Sequence, residues 1–276
     1  MTLCQLIKKV LSEQYDEIPA IGRDEAVRAK LVELSDQYAK LKLSEFKGID
    51  YSSPVSRFAY IHKYTVAHGD NIRQIIAMTP QLSALFDKEN LQVACLGGGP
   101  GSDFLGILKY MMQAGKKNAV TCYLYDRERA WADSWSDVAR LLEGEMPFFP
   151  SFAQMDAADS STYKAYHRIK KCDLLTLSYF MSEMWKYRDK VEPFFEHCFS
   201  RAKSGALVLY VDNRDSDFRG WFDYLAARYG LKVLVQKSCD LVWEHAEEKT
   251  DLGEFYEKFG FPKRESKVDI RVAQKT

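Results

Sequence analysis

Through residues 1–90 the apolar positions recur at helical intervals. Leu3, Leu6, Ile7, Val10 and Leu11 fall on one face, which predicts a helix over Leu3–Tyr15, and Ala26–Leu43 repeats the pattern. Neither segment alternates as a half-buried strand would. Ser56–Phe86 keeps the helical texture, is punctuated by Gly69 and Pro80, and is dense in aromatic and histidine side chains. From Leu91 the texture changes to short apolar runs alternating with amphipathic stretches, the pattern of a mostly parallel sheet covered on both faces. Strands are expected at Leu91–Leu96, Ala119–Tyr125, Phe152–Gln154, Asp173–Ser178, Ala206–Asp212, Leu231–Lys237 and Val268–Gln274. Helices are expected at Asp103–Ala114, Arg129–Leu142, Lys190–Ser200, with Pro193 in its first turn, and Phe218–Tyr229.

Composition narrows the class of protein. The chain has 276 residues, 46% of them hydrophobic, enough for a sizeable core in one large domain or a domain with a substantial extension. Lys plus Arg equals Asp plus Glu at 39 each, so no net field draws the chain to nucleic acid or anionic membrane, although local basic patches are not excluded. The six cysteines lack C-x-x-C spacing and read as reduced, structural thiols. No run approaches the roughly 18 consecutive apolar residues of a membrane span, and Met1–Val10 lacks a signal-peptide apolar core, so an intracellular, cytoplasmic, soluble protein is expected.

The chemistry concentrates at V-A-C-L-G-G-G-P-G-S-D, Val93–Asp103, where an apolar strand runs into four glycines and then a helix signal. Gly97, Gly99 and Gly101 tolerate positive φ and, lacking Cβ, admit a ligand close to the backbone, while Pro100 stiffens the turn. Gly98 completes the loop. Ser102 or Asp103 is the expected cap of a helix whose free N–H groups face the ligand. An ordinary glycine turn is the competing reading.

The polar segment Trp243–Lys267 shows no long crossover helix and ends in Gly260–Pro262 turn chemistry, so a final antiparallel strand is expected. Over Leu91–Thr276 the chain resembles the class I S-adenosylmethionine-dependent methyltransferases. The fold so implied is α/β: a Rossmann-like seven-stranded, mostly parallel sheet with an antiparallel last strand and helices on both faces, preceded by a helical extension over residues 1–90 on the substrate side. In that family a G-x-G-x-G loop surrounds the methionine end of the cofactor, and Gly97, Gly99 and Gly101 match that spacing. A dinucleotide fingerprint would place Ser102 at its third glycine. The resemblance implies that S-adenosyl-L-methionine is the cofactor and that Asp126, ending the second strand, accepts from the ribose hydroxyls, although dinucleotide enzymes also use an acid there. It implies an adenine contact for Asp156, which is otherwise a loop acid. The run S-Y-x-x-S-E after the fourth strand, with Ser178, Tyr179 and Glu183, would border the transferable methyl group. Its plainer reading is helix capping.

One position departs from the family. Cys95 stands where many members carry an acid, which leaves the cofactor's ammonium to backbone carbonyls or to Asp103. Asp212 and Asn213 end the fifth strand and either line the pocket or form a turn before Asp217 caps the next helix. Tyr60, Tyr64 and His68 share one helical face that either closes over the cofactor or packs a core. His68 and Glu183 are candidate bases. The five histidines form no metal-ligand pattern and no G-x-S-x-G elbow occurs, so no metal is expected. The expectation is methyl transfer to nitrogen or oxygen of a small molecule, with RNA as the rival acceptor. A nicotinamide-dependent oxidoreductase and a non-catalytic binding protein are the alternatives in other classes.

Overall fold

Residues 93–96 and 174–177 have no solvent exposure on either face, as the central strands of a sheet covered on both sides require. The computed structural model describes residues 2–43, 46, 48–133, 147–166, 168–243 and 249–276. Its strands are β1 (Asn90–Leu96), β2 (Ala119–Asp126), β3 (Phe148–Gln154), β4 (Leu174–Ser178), β5 (Leu207–Asn213), β6 (Leu231–Val242) and β7 (Glu265–Lys275). They form one sheet of seven in the order β3-β2-β1-β4-β5-β7-β6. Pairings from β3 through β5 are parallel, and β7 runs antiparallel to both β5 and β6. The last strand is therefore reversed, as expected, and it inserts between β5 and β6. The fold is Rossmann-like.

Three strands are longer than their patterns suggest. β7 runs from Glu265 to Lys275 where the pattern predicts Val268–Gln274, its residues 265–267 pairing with the end of β6 alone. β3 starts at Phe148, not Phe152, and runs through Pro150, which an edge strand tolerates because one of its flanks needs no ladder bond. β6 continues past Lys237 through the polar residues 238–240 and carries a register shift between Val233 and Val235; as the opposite edge it needs no buried periodicity there.

The helices before the sheet are α1 (Leu3–Glu17), opened by a Thr2–Gln5 capping box, α2 (Arg23–Ala39), α3 (Pro54–Tyr60) and α4 (Val66–Ala77), with a π turn over Ile61–Thr65 and a short α5 (Pro80–Ser83). Gly69 does not punctuate this run. It lies mid-helix where α4 crosses α6 (Ser102–Ala114), the helix that leaves the glycine loop. A Cβ on Gly106 would sit 2.3 Å from the Gly69 carbonyl oxygen and 2.6 Å from Ile72 Cβ, so the glycine is what allows this approach. One buried cluster accordingly joins Leu6, Phe58 and Ile72 of the N-terminal helices to Val93, Leu105 and Leu209 of the sheet domain.

Later α-helices among the described residues include α7 (Phe180–Met184), α8 (Arg188–Arg201), α9 (Ser216–Arg228) and α10 (Glu254–Phe259). The helix expected over Arg129–Leu142 lies outside the described residues beyond Asp133, as do His167 and His245. Three local expectations are corrected. Gly101, in the left-handed region, is the residue before α6, and neither Ser102 nor Asp103 caps it. α8 begins at Arg188, which puts Pro193 beyond the first turn. Asp215, not Asp217, caps α9, its carboxylate accepting from the Asp217 N–H at 2.8 Å.

Candidate functional site

β1 delivers the glycine loop to the C-terminal edge of the sheet. Gly97, Gly99 and Gly101 have φ of +68°, +41° and +72°, values that side-chain-bearing residues rarely adopt. The Gly97 and Gly98 N–H groups both donate to the Tyr125 carbonyl, at 2.9 and 3.1 Å, which ties the loop to the end of β2. One residue on, Asp126 Oδ2 accepts from the Gly99 N–H and Oδ1 from the Glu128 N–H, each at 2.9 Å. Burial pushes the Asp126 carboxyl up to about 6 against these two donors. A Cβ on Gly97 would collide with the Phe180 ring at 2.1 Å, whereas one on Gly99 would stand 3.5 Å from Asp126 Oδ2 and 3.9 Å from Trp131 Nε1. The first glycine is required by packing. The second keeps space open between an acid and an indole.

That space belongs to a cavity of about 450 Å³ at the sheet's edge. Of the residues singled out from sequence, Gly97, Gly99, Asp126, Asp156, Ser178, Tyr179 and Glu183 line it. Gly98, Gly101, Asp103 and His68 do not. Asp103 is turned under β4, bonded by the Thr176 hydroxyl beside Ser178, and burial raises its carboxyl to about 6. Asp156 accepts from the Ala158 N–H at 2.8 Å, between Met155 and Ala157, which also line the cavity.

His68 is a supporting ring. It stacks on Tyr179 at 3.7 Å between centroids and 14° between planes, and burial holds its imidazole neutral, far below the ordinary titration range. Tyr60, Tyr64 and His68 keep contact along one face across the π turn, but only Tyr60 of the three reaches the cavity.

Tyr179 has φ of +55°, the one positive value outside glycine among the described residues. Such backbone costs about 1–3 kcal/mol and persists only where the surroundings impose it. Here they do: the Tyr179 N–H donates to the Val211 carbonyl at 2.8 Å, Asn71 Nδ2 donates to the Tyr179 hydroxyl at 2.9 Å, and the Ser182 N–H donates to Asp212 Oδ2 at 2.8 Å. Asp212 is fully buried and lies off the cavity lining; it holds the first turn of α7. That turn presents Glu183 to the cavity.

The partners of Glu183 come from the N-terminal helices, and no local sequence signal marks them. Tyr38 on α2 donates to Glu183 Oε1 at 2.6 Å, the Tyr51 hydroxyl lies 3.5 Å from the same oxygen, and the two phenols are 3.0 Å apart. Burial pushes the Glu183 carboxyl up to about 7; the phenol bonds oppose this, and the nearby charges of Asp126 and Asp212 add to it. Burial also raises Tyr38, Tyr51 and Tyr60, so all three remain protonated. Phe46, Gly48, Ile49 and Asp50 approach the cavity from the α2–α3 connection, and Trp131 from beyond β2. Tyr51 lies two residues before Ser53, which precedes α3, and a lone aromatic at a helix entrance carries no periodicity that would single it out.

Among the described residues no group of His, Cys, Asp and Glu is arranged to hold a metal ion, and no helix is long and apolar enough to cross a membrane. No family model matches the sequence. No curated protein matches it either. Solved structures resemble the fold at low identity. An S-adenosylmethionine-dependent methyltransferase from Methanosarcina mazei is 12% identical over 72% of this chain and 98% of its own, with a TM-score of 0.47. The [4+2]-cyclase SpnF is 10% identical over 75% and 81%, with a TM-score of 0.47. An arsenic(III) S-adenosylmethionine methyltransferase from Chlamydomonas reinhardtii is 14% identical over 74% and 73%, with a TM-score of 0.42. At such scores these likenesses carry no weight for activity or substrate, which are read from the site.

Proposed function

We propose that the chain is an S-adenosylmethionine-dependent methyltransferase acting on nitrogen or oxygen of a small acceptor. The observation that carries this reading is the joint placement of Gly97, Gly99 and Asp126 on one cavity wall, with the Asp126 carboxylate fixed by the Gly99 N–H. Its open side suits a nucleoside sugar with two adjacent hydroxyl donors. Met155 and Asp156 lie where a purine would follow, and Ser178 with Phe180 would flank the methionine end. Bound there, the cofactor supplies a methyl group on a sulfonium, a leaving group that needs no acid or metal. The protein's contribution is then mainly positioning. Residues 1–90 act as the cap, supplying Tyr51 and Tyr60 to the acceptor side.

A dinucleotide oxidoreductase fits less well. The dinucleotide sheet order continues from the fifth strand to the sixth without an inserted antiparallel strand, and its third glycine is Ser102 here. RNA fits less well too. Among the described residues the cavity is lined by the carboxylates of Asp50, Asp126, Glu128, Asp156 and Glu183 against the cations of Arg127 and Lys190, the reverse of a phosphate-binding surface.

Calorimetry with S-adenosylhomocysteine and with NAD tests the reading. S-adenosylhomocysteine is expected to bind, and Asp126→Asn to weaken it ten- to a hundredfold, the loss of charged hydrogen bonds worth roughly 1.5–3 kcal/mol. A preference for NAD overturns it.

A further inference from the structure

Three aromatic rings and one carboxylate meet on the acceptor side of the cavity. Tyr51 and Tyr60 are 5.2 Å apart at 85°, Tyr51 and Trp131 5.4 Å apart at 52°, and Tyr60 and Trp131 6.4 Å apart at 60°. All three line the cavity with Glu183. Tyr51 is half-buried while Tyr60 and Trp131 are buried, so the corner these rings line is shielded from water. Both phenol donors converge on Glu183 Oε1, and among the described residues no hydrogen bond reaches Oε2. Tyr38 lies outside the lining, behind the carboxylate; it is a positioning residue that aims Glu183 into the corner.

We infer that this corner is a binding site for a protonated amine, with Glu183 as counter-ion and Tyr51, Tyr60 and Trp131 as its aromatic walls, so that the methyl acceptor is a small primary or secondary amine. The inference rests on the methyl-transfer reading for the role of the amine, but the cation site stands on its own geometry. Aromatic faces attract a cation through the ring quadrupole, most strongly where water is excluded, an attraction a neutral or anionic acceptor lacks. The carboxylate supplies a charge-assisted bond of the kind an ammonium requires in a half-buried site. Among the described residues, the excess of carboxylates over cations in the lining points the same way.

The corner also serves the chemistry. An ammonium nitrogen has no lone pair to offer. Passing one proton from nitrogen to Glu183 Oε2 would convert the carboxylate to the neutral acid and the ammonium to the free amine, leaving the nitrogen a lone pair able to accept a methyl group. The proton count balances within the pair, and no other co-reactant is needed.

The test is calorimetric titration of the full chain with benzylamine and with benzyl alcohol, its neutral counterpart, each with and without saturating S-adenosylhomocysteine. Benzylamine is expected to bind at least about tenfold more tightly than the alcohol, since a charged hydrogen bond alone is worth that much. It should do so whether or not S-adenosylhomocysteine is present. Glu183→Gln should weaken benzylamine about ten- to a hundredfold. Tyr51→Leu should weaken it several-fold, whereas Tyr51→Phe, which keeps the ring, should not. Circular dichroism of each variant separates a lost site from a lost fold. Equal affinity for amine and alcohol, or indifference to Glu183→Gln in a folded protein, overturns the inference. So does displacement of benzylamine by S-adenosylhomocysteine, which would assign the corner to the cofactor's own ammonium. Binding of S-adenosylhomocysteine without amine binding sinks the amine site alone. Amine binding without S-adenosylhomocysteine binding sinks the methyl-transfer reading alone.

Discussion

Single residues in this site are tuned by what surrounds them, and two of them make measurable claims. Gly99 holds φ of +41° with open space toward Asp126 and Trp131. A leucine there pays about 1–2 kcal/mol for left-handed backbone, small beside a typical folding stability. Its branch would fill the room between the acid and the indole. Gly99→Leu is therefore expected to abolish S-adenosylhomocysteine binding by calorimetry while leaving the circular dichroism spectrum unchanged. Glu183 makes the second claim. Tyr38 from α2, Tyr51 from the α2–α3 connection, Tyr60 from α3, Asp126 from β2 and Asp212 from β5 all act on it, and burial dominates, raising its carboxyl to about 7. A raised carboxyl favours folding while protonated, fully so below its unfolded value, and that contribution is lost as pH rises through about 7. Urea unfolding should show the wild-type chain losing roughly 1–2 kcal/mol relative to Glu183→Gln between about pH 5 and pH 7.5. A flat difference would mean that Glu183 is already ionised in the empty protein. Both residues were legible in the sequence because each sits in a local run, G-G-G-P-G or S-Y-x-x-S-E. Tyr38, Tyr51 and Trp131 were not, since the two phenols meet Glu183, and Trp131 meets Tyr51, only through folding. Asp212 was legible as a strand-end acid, as pocket lining or as a turn before the next helix; it lies off the cavity lining, and its bond to the Ser182 N–H gives it a third role, holding α7.

At the scale of elements, the crossing of α4 and α6 decides where the loop points. Gly69 interrupts the apolar pattern of its segment and reads as punctuation in sequence, because a glycine that ends a helix and one that admits a neighbouring helix look alike along one dimension. Gly106, its counterpart, lies in a run that is helical by every local measure. Both serve one close contact, and α6 inherits its direction from it. Gly106→Ala should therefore be destabilising although alanine is the better helix former, because its Cβ would stand 2.3 Å from the Gly69 carbonyl oxygen and 2.6 Å from Ile72 Cβ. Backbone cannot yield as a flexible side chain can, and overpacking of this kind costs about 1–3 kcal/mol. Chemical denaturation checks the sign, and a stabilised Gly106→Ala protein would show that the crossing can relax. The strands were read best where both faces are buried, as in β1 and β4. The edges β3 and β6 were read short, since an edge strand needs neither a second apolar face nor freedom from proline, and so was β7, whose residues 265–267 pair with β6 on one side only.

On the scale of the whole chain, composition allowed one large domain or a domain with a substantial extension, and the buried contacts join residues 1–90 to the sheet. α1 through α4 share one apolar cluster with β1, β2 and β5, and the cavity takes its walls from both parts: the glycine loop and Asp126 from the sheet, Tyr51 and Tyr60 from the helices that precede it. A ligand seated there touches both, so its binding energy is coupled to the folding of both. Unfolding should then be a single transition in calorimetry, with no separate melting of residues 1–90. At a hundredfold excess over its dissociation constant, S-adenosylhomocysteine adds about 2.7 kcal/mol of stability, which for a domain near this size corresponds to a rise in Tm of roughly 5–10 °C. Because the added stability is shared, amide exchange should slow in α3 and α4 as well as in α6 and β2 when the ligand binds. Protection confined to the sheet side would mean that the helical cap opens independently of the cofactor site. The aromatic walls around Glu183 would then assemble only when an acceptor arrives.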